Sequence, residues 1–261
     1  MIRDAIPANN PTPELFGPWH NLSIVSPRLD MCVIEKIGSK HWRLVQCLMN
    51  RPNQTMDDLV RGLPCPEDAV IANSSEMVSS TVFLRDPLER FLSAYLDKCV
   101  VAREIDTHCQ PMEVFQRSNR LVEGIIDNKR HFFEAYVDTM PLKWNLHFFP
   151  QSFYCDGLFR HIQNYDFVGQ MGQNFYNDLD RLSQQFPHGR FGAILDGIFE
   201  LEKNLATSAG NIGVETSASS HVREYYTPAT LRRVLEYTAI DYMLLNITIP
   251  EWAQQMLNDE V

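Results

Sequence analysis

A chain of 261 residues with 44% hydrophobic content can bury a substantial core, while a formal charge of -10 excludes the broad basic face that general nucleic-acid or polyanion binding needs. Any anion site must be local. No apolar run approaches the ~20 residues that cross a bilayer, and the start MIRDAIPANNPTPELFGPWH lacks a signal-peptide core, so a cytoplasmic chain is expected.

The Pro- and Asn-rich opening predicts an extended arm over residues 1–23, followed by one domain over 24–261. MCVIEKIGSKHWRLVQCLMN then predicts a buried strand from Met31 to Ile34, a turn from Glu35 to Ser39, and a helix with Trp42, Val45, Leu48 and Met49 on one side. TVFLRDPLERFLSAYLDKC repeats that order. STVFL is the strand, and Asp86, Pro87 and Glu89 are the cap, first position and third position of a helix start. Leu88, Phe91, Leu92, Tyr95 and Cys99 share its buried face, with Ser93 off that face on an exposed flank. Residues 111–140 read as mostly helical, YDFVGQ at 165–170 as a strand, and 173–186 as helices. A last helix starts after Thr227-Pro228. Alternating strands and helices imply an α/β fold with a central, mainly parallel sheet flanked by helices.

The six cysteines (Cys32, Cys47, Cys65, Cys99, Cys109 and Cys155) form no C-x-x-C and no zinc-finger spacing, which predicts buried thiols and no metal site. Asn21, Asn53, Asn73 and Asn246 head N-x-S/T sequons, against about two expected by chance, and leave a secretory origin open.

A strand that ends in a tight turn before a helix presents backbone N–H groups and the positive end of the helix dipole to an anion. EKIGSKHW, residues 35–42, meets that description and adds Lys36 and Lys40; the alternative is that Gly38 and Ser39 only make a turn and a cap. G-x-x-x-x-G-K-[ST] is absent, so a nucleotide-kinase reading lacks its first requirement.

CVIEKIGSKHWRLV, TVFLRDPLERFLSAYLDKC, HFFPQSFYC, YDFVGQ and YYTPATLRRVLEYTAIDYMLLN, in this order, resemble the membrane-associated carbohydrate sulfotransferases, the family of the chondroitin and related enzymes. The matches run from Cys32 to about Asn246. The resemblance implies a P-loop-like sulfotransferase fold that binds PAPS (3'-phosphoadenosine 5'-phosphosulfate) and releases PAP. Its first motif, over Lys36, Ile37, Gly38, Ser39, Lys40, His41 and Trp42, would hold the 5'-phosphosulfate, with Lys36 stabilising charge on the bridging oxygen. Its second would hold the 3'-phosphate through the planar fork of Arg85 and the hydroxyl of Ser93. Glu35 and Lys40 depart from the family's proline and threonine; Glu35 would weaken the anion or pair with Lys36. His147 falls in the family's His-aromatic-x-Pro segment and is the implied general base, with His41 the next candidate. Arg223 is a second candidate for the 3'-phosphate.

The function expected is sulfuryl transfer to a hydroxyl of a carbohydrate or small-molecule acceptor, without a metal. The rivals are a PAPS- or PAP-binding protein without turnover and a small-molecule kinase. A trimmed domain of a Golgi-lumen enzyme is the alternative to the cytoplasmic reading.

Overall fold

The computed structural model describes residues 21–25, 27–51, 53–56, 58, 79–101, 129–139, 145–172, 174–187, 189–205 and 218–259. In chain order the elements are β1 (Asn21–Ile24), β2 (Leu29–Cys32), α1 (Ser39–Asn50), β3 (Ser79–Arg85), α2 (Pro87–Tyr95) with a π-helical turn Leu96–Val101, and α3 (Lys129–Thr139). There follow α4 (Tyr154–His161), β4 (Phe167–Met171), α5 (Phe175–Gln184), α6 (Phe191–Leu205), α7 (Ala218–Tyr225), α8 (Pro228–Leu244) and α9 (Glu251–Asn258). The first twenty residues of the expected arm, and residues 111–128 and 140 of the expected helical stretch, lie outside the described residues.

The chain divides into two compact units, one of Phe16–Arg85 and Tyr154–Glu215, the other of Met1–Leu15, Asp86–Phe153 and Thr216–Val261. The first holds the sheet, in the order β1-β2-β3-β4. β1 pairs antiparallel with β2, whereas β2–β3 and β3–β4 are parallel, which is the mainly parallel α/β arrangement expected from the alternating pattern. β1 begins inside the segment read as an arm. The pairing of β2 stops at Cys32, two residues before the expected strand end, although Val33 and Ile34 remain buried.

Apolar alternation alone does not explain why β3 and β4 lie so close. Phe83 faces Gly169 across the ladder, and a Cβ on residue 169 would stand 2.4 Å from the Phe83 ring. Only glycine leaves that ring its place, from which it packs on Trp42, Phe167 and Phe175 at centroid separations of 5.0, 5.8 and 5.6 Å. Trp42 and Phe199 extend the cluster, locking α1 and α6 against the sheet.

A disulfide joins Cys32, at the end of β2, to Cys155 at the start of α4. Cys155, Asp156 and Gly157 all take left-handed backbone, so the covalent tie holds a segment that would not choose this conformation alone. Cys47 and Cys99 are disulfide-bonded as well, and among the described residues no cysteine is free. The expectation of buried thiols is therefore corrected: the absence of C-x-x-C spacing says nothing against pairs far apart in sequence, here 123 residues.

The second unit is helical. α2 is its centre, and Leu88, Phe91, Leu92 and Tyr95 are buried together with Phe133, Tyr136, Phe148, Tyr225, Tyr226, Leu231 and Val234. Aromatic rings meet edge-on around Phe91, Tyr95 and Phe133. Because α7 and α8 both pack on α2, its polar flank is covered too. Ser93 is 5% exposed, which corrects the expectation that it projects from an exposed flank.

Candidate active site

The strand–turn–helix unit folds as its sequence demands. After the buried Val33 and Ile34, Ile37 N–H donates to the Ile34 carbonyl and closes a tight turn. Gly38 adopts φ 70 at the N-cap of α1, where its lack of a Cβ removes the penalty. Lys36 also has φ 70, and a lysine there costs of order 1–3 kcal/mol. Something must hold it. Arg85, the last residue of the neighbouring parallel strand β3, donates from Nη1 to the Lys36 carbonyl at 3.1 Å.

Glu35 does not work against this turn as its charge suggests. Its carboxylate accepts from Ser39 Oγ at 3.0 Å and from Arg43 Nη2 at 3.1 Å, so the acid is drawn along α1 toward Arg43. Ile37, Ser39, His41 and Trp42 bury their side chains, whereas Lys40 is exposed and Lys36 and Arg85 are half-buried. The cationic side chains of the loop are thus Lys36 and Lys40, with Arg85 beside them. The His41 ring packs on Phe199 at 5.5 Å, and burial first, then the Lys40 charge, lowers its pKa to about 4. It is a neutral imidazole at physiological pH.

His147, Ser93 and Arg223 belong to the helical unit. His147 is half-buried in a turn, with its backbone N–H donating to Asn145 Oδ1 at 3.0 Å. Arg223 is exposed on α7, and its Nη2 donates to Gln255 Oε1 on α9 at 3.3 Å. Among the described residues no group of three or more His, Cys, Asp or Glu stands ready for a metal.

Five residues outside the expected site organise this unit. Asp86 caps α2 by accepting from Glu89 N–H at 2.9 Å and also accepts from Tyr242 Oη at 2.8 Å. Tyr226 Oη donates to the Leu88 carbonyl at 2.9 Å. Arg90, 2% exposed, donates from Nη1 to the Phe149 carbonyl at 2.6 Å and from Nη2 to the Leu146 carbonyl at 3.5 Å. Asp241, 0% exposed, accepts from the N–H groups of Gln151 and Ser152 at 2.9 and 2.8 Å. Burial raises the Asp241 pKa, and the hydrogen bonds from Ser152 and Gln151 and the Arg90 charge oppose that rise. The signal was present: these residues are the aspartate and second arginine of RDPLER, the second tyrosine of YYTP and the Asp-Tyr pair of YTAIDY.

The turn that bears Lys36 and Lys40 follows β2 beside Arg85 at the end of the parallel β3, and the carboxyl ends of such strands are where open α/β sheets bind ligands. The model of the sulfotransferase family matches residues 24–246, and the chain belongs to that family. It is similar to the uncharacterized protein C18B2.2 of Caenorhabditis elegans, 26% identical over a 194-residue alignment that covers 69% of this chain and 50% of the relative. The chain therefore spans about half the length of that curated relative. No solved structure matches.

Proposed function

We propose that the protein transfers the sulfuryl group of PAPS to a hydroxyl of a carbohydrate or small-molecule acceptor. The observation that supports this most is the Arg85–Lys36 contact. The residues that the family motifs assign to the 3'-phosphate and the phosphosulfate come from the ends of adjacent parallel strands, and one holds the backbone of the other. Lys36 and Lys40 supply charge for the phosphosulfate, and a guanidinium offers five donors in a plane suited to a phosphate.

In the reaction the acceptor oxygen forms a bond to sulfur as the bond from sulfur to the bridging phosphate oxygen breaks. The acceptor proton passes to the His147 imidazole, and PAP leaves. Lys36 stabilises the negative charge that grows on the bridging oxygen, an interaction stronger in the transition state than before it. Calorimetry against PAP and ADP tests the donor. PAP should bind at least ten times more tightly, because only PAP carries a 3'-phosphate, and Arg85→Ala should abolish the difference; equal binding of the two would count against PAPS.

The Cys32–Cys155 disulfide supports the lumenal alternative over the cytoplasmic one, since such bonds persist in oxidising compartments. We place the enzyme in the lumen of the secretory pathway. The formal charge of -10 also favours neutral or weakly charged hydroxyl acceptors over highly sulfated polymers.

A further inference from the structure

The segment that carries His147 is gripped by two buried, oppositely charged side chains, and each takes the backbone groups that its charge fits. The Arg90 cation takes carbonyls, those of Leu146 and Phe149. The Asp241 anion takes N–H groups, those of Gln151 and Ser152. The peptide immediately before His147 is held at both ends, its carbonyl by Arg90 and its N–H by Asn145 Oδ1 at 3.0 Å. The peptide after it is held as well, since Phe148 N–H donates to the Asn145 carbonyl at 3.0 Å, and with both peptide planes held the Cα–Cβ direction of His147 is fixed.

Stability alone is a poor reason for this construction. Moving two charges out of water is costly, and well-packed apolar residues of similar volume commonly replace a buried ion pair at no loss. What the charges add is directional: forked donors and a two-oxygen acceptor allow one arrangement of the backbone, where apolar packing tolerates several. The helices that carry the two charges are themselves tied, since Tyr242, next to Asp241, donates to Asp86, which caps the helix that bears Arg90.

We propose that Arg90 and Asp241 are positioning residues for sulfuryl transfer: together they hold the 145–152 backbone so that the His147 side chain meets the acceptor hydroxyl. This rests on the reading of His147 as the base.

The test follows label from ³⁵S-PAPS into a pool of methyl glycosides, with rates expressed per PAP-binding site so that loss of folded protein does not enter. Arg90→Lys keeps the charge but not the fork, and Asp241→Asn keeps the shape but turns one acceptor into a donor. Each should lower kcat about 10- to 100-fold while PAP affinity stays within about twofold of wild type. Asn145→Ala removes no buried charge and should lower kcat in the same sense. The double variant Arg90→Met/Asp241→Leu separates positioning from stability, because it should bind PAP and still turn over slowly. Wild-type kcat per site in the double variant, or in both Asp241→Asn and Asn145→Ala, would overturn the proposal. His147→Gln, run beside them, reports on the base itself. If it alone is inactive, the positioning inference fails and the base stands; if it is active while the other variants are slow, the base must be sought elsewhere on the segment that Arg90 and Asp241 hold.

Discussion

The Arg85 guanidinium donates to the carbonyl oxygen of Lys36 at 3.1 Å, tying the end of one parallel strand to the turn that follows its neighbour. Lys36 has left-handed backbone there, a conformation that glycine adopts without penalty. Lys36→Gly should therefore leave stability unchanged or raise it by up to about 1 kcal/mol, while turnover of PAPS collapses. A thermal melt and a transfer assay on the same preparation check both halves. A variant that is active, or that is much less stable, would show that the strain or the charge has been misjudged.

Removing Arg85 frees the Lys36 carbonyl and, on the proposed role, should also weaken the hold on the nucleotide. Arg85→Ala should weaken PAP binding by about 1.5 to 3 kcal/mol, the range for hydrogen bonds to charged groups. Arg85→Lys should recover only part of the loss, because an ammonium lacks the planar fork. Calorimetry reads each value, and unchanged PAP affinity in a folded Arg85→Ala protein would refute the 3'-phosphate assignment.

Burial of His41 makes stability depend on pH. Its folded pKa of about 4 lies below the ordinary 6.5, so between those values the unfolded chain binds more protons. Stability must then fall as pH drops from 6.5 toward 4 and be unaffected by this group above that window. At 1.36 kcal/mol per unit the loss reaches about 3 kcal/mol. Denaturant melts of His41→Phe should lack that part of the slope; an identical slope would mean that His41 titrates normally.

Reduction offers a separate test. Cys32→Ala/Cys155→Ala should cost about 2 to 5 kcal/mol, and wild-type protein should melt at a lower temperature under reductant. Asn246 is exposed, so on expression through the secretory pathway the Asn-Ile-Thr sequon should carry glycan, read as a mass shift lost in Asn246→Gln. A chain that folds equally well reduced and never acquires glycan would favour the cytoplasmic reading.

Local chemistry explains which features were legible in the sequence. The turn from Glu35 to Ser39, the Asp86 cap with its proline, and the alternation of strands and helices that implies a mainly parallel sheet are encoded within short stretches by spacing and capping rules. Pairings across long separations are not. The partner of Cys32 lies 123 residues away, and nothing near either cysteine marks it. The burial of Ser93 is not legible either, because a helix start gives only one buried face, whereas α2 is surrounded by later segments of the chain. The partners of Arg90 and Asp241 on the 145–152 backbone lie 56 to 90 residues away in the chain, so no local spacing marks those two side chains.

His147 as the base for transfer from PAPS is the central proposal. The most direct measurement is the pH profile of kcat/KM for ³⁵S transfer from PAPS to glycoside hydroxyls, in wild type and in His147→Gln. Wild type should rise through a pKa in the neutral histidine range, because only the unprotonated imidazole accepts the proton. His147→Gln should bind PAP normally, lose about 10² to 10⁴ in rate and show no such limb. The same limb and a near wild-type rate in His147→Gln would contradict the account.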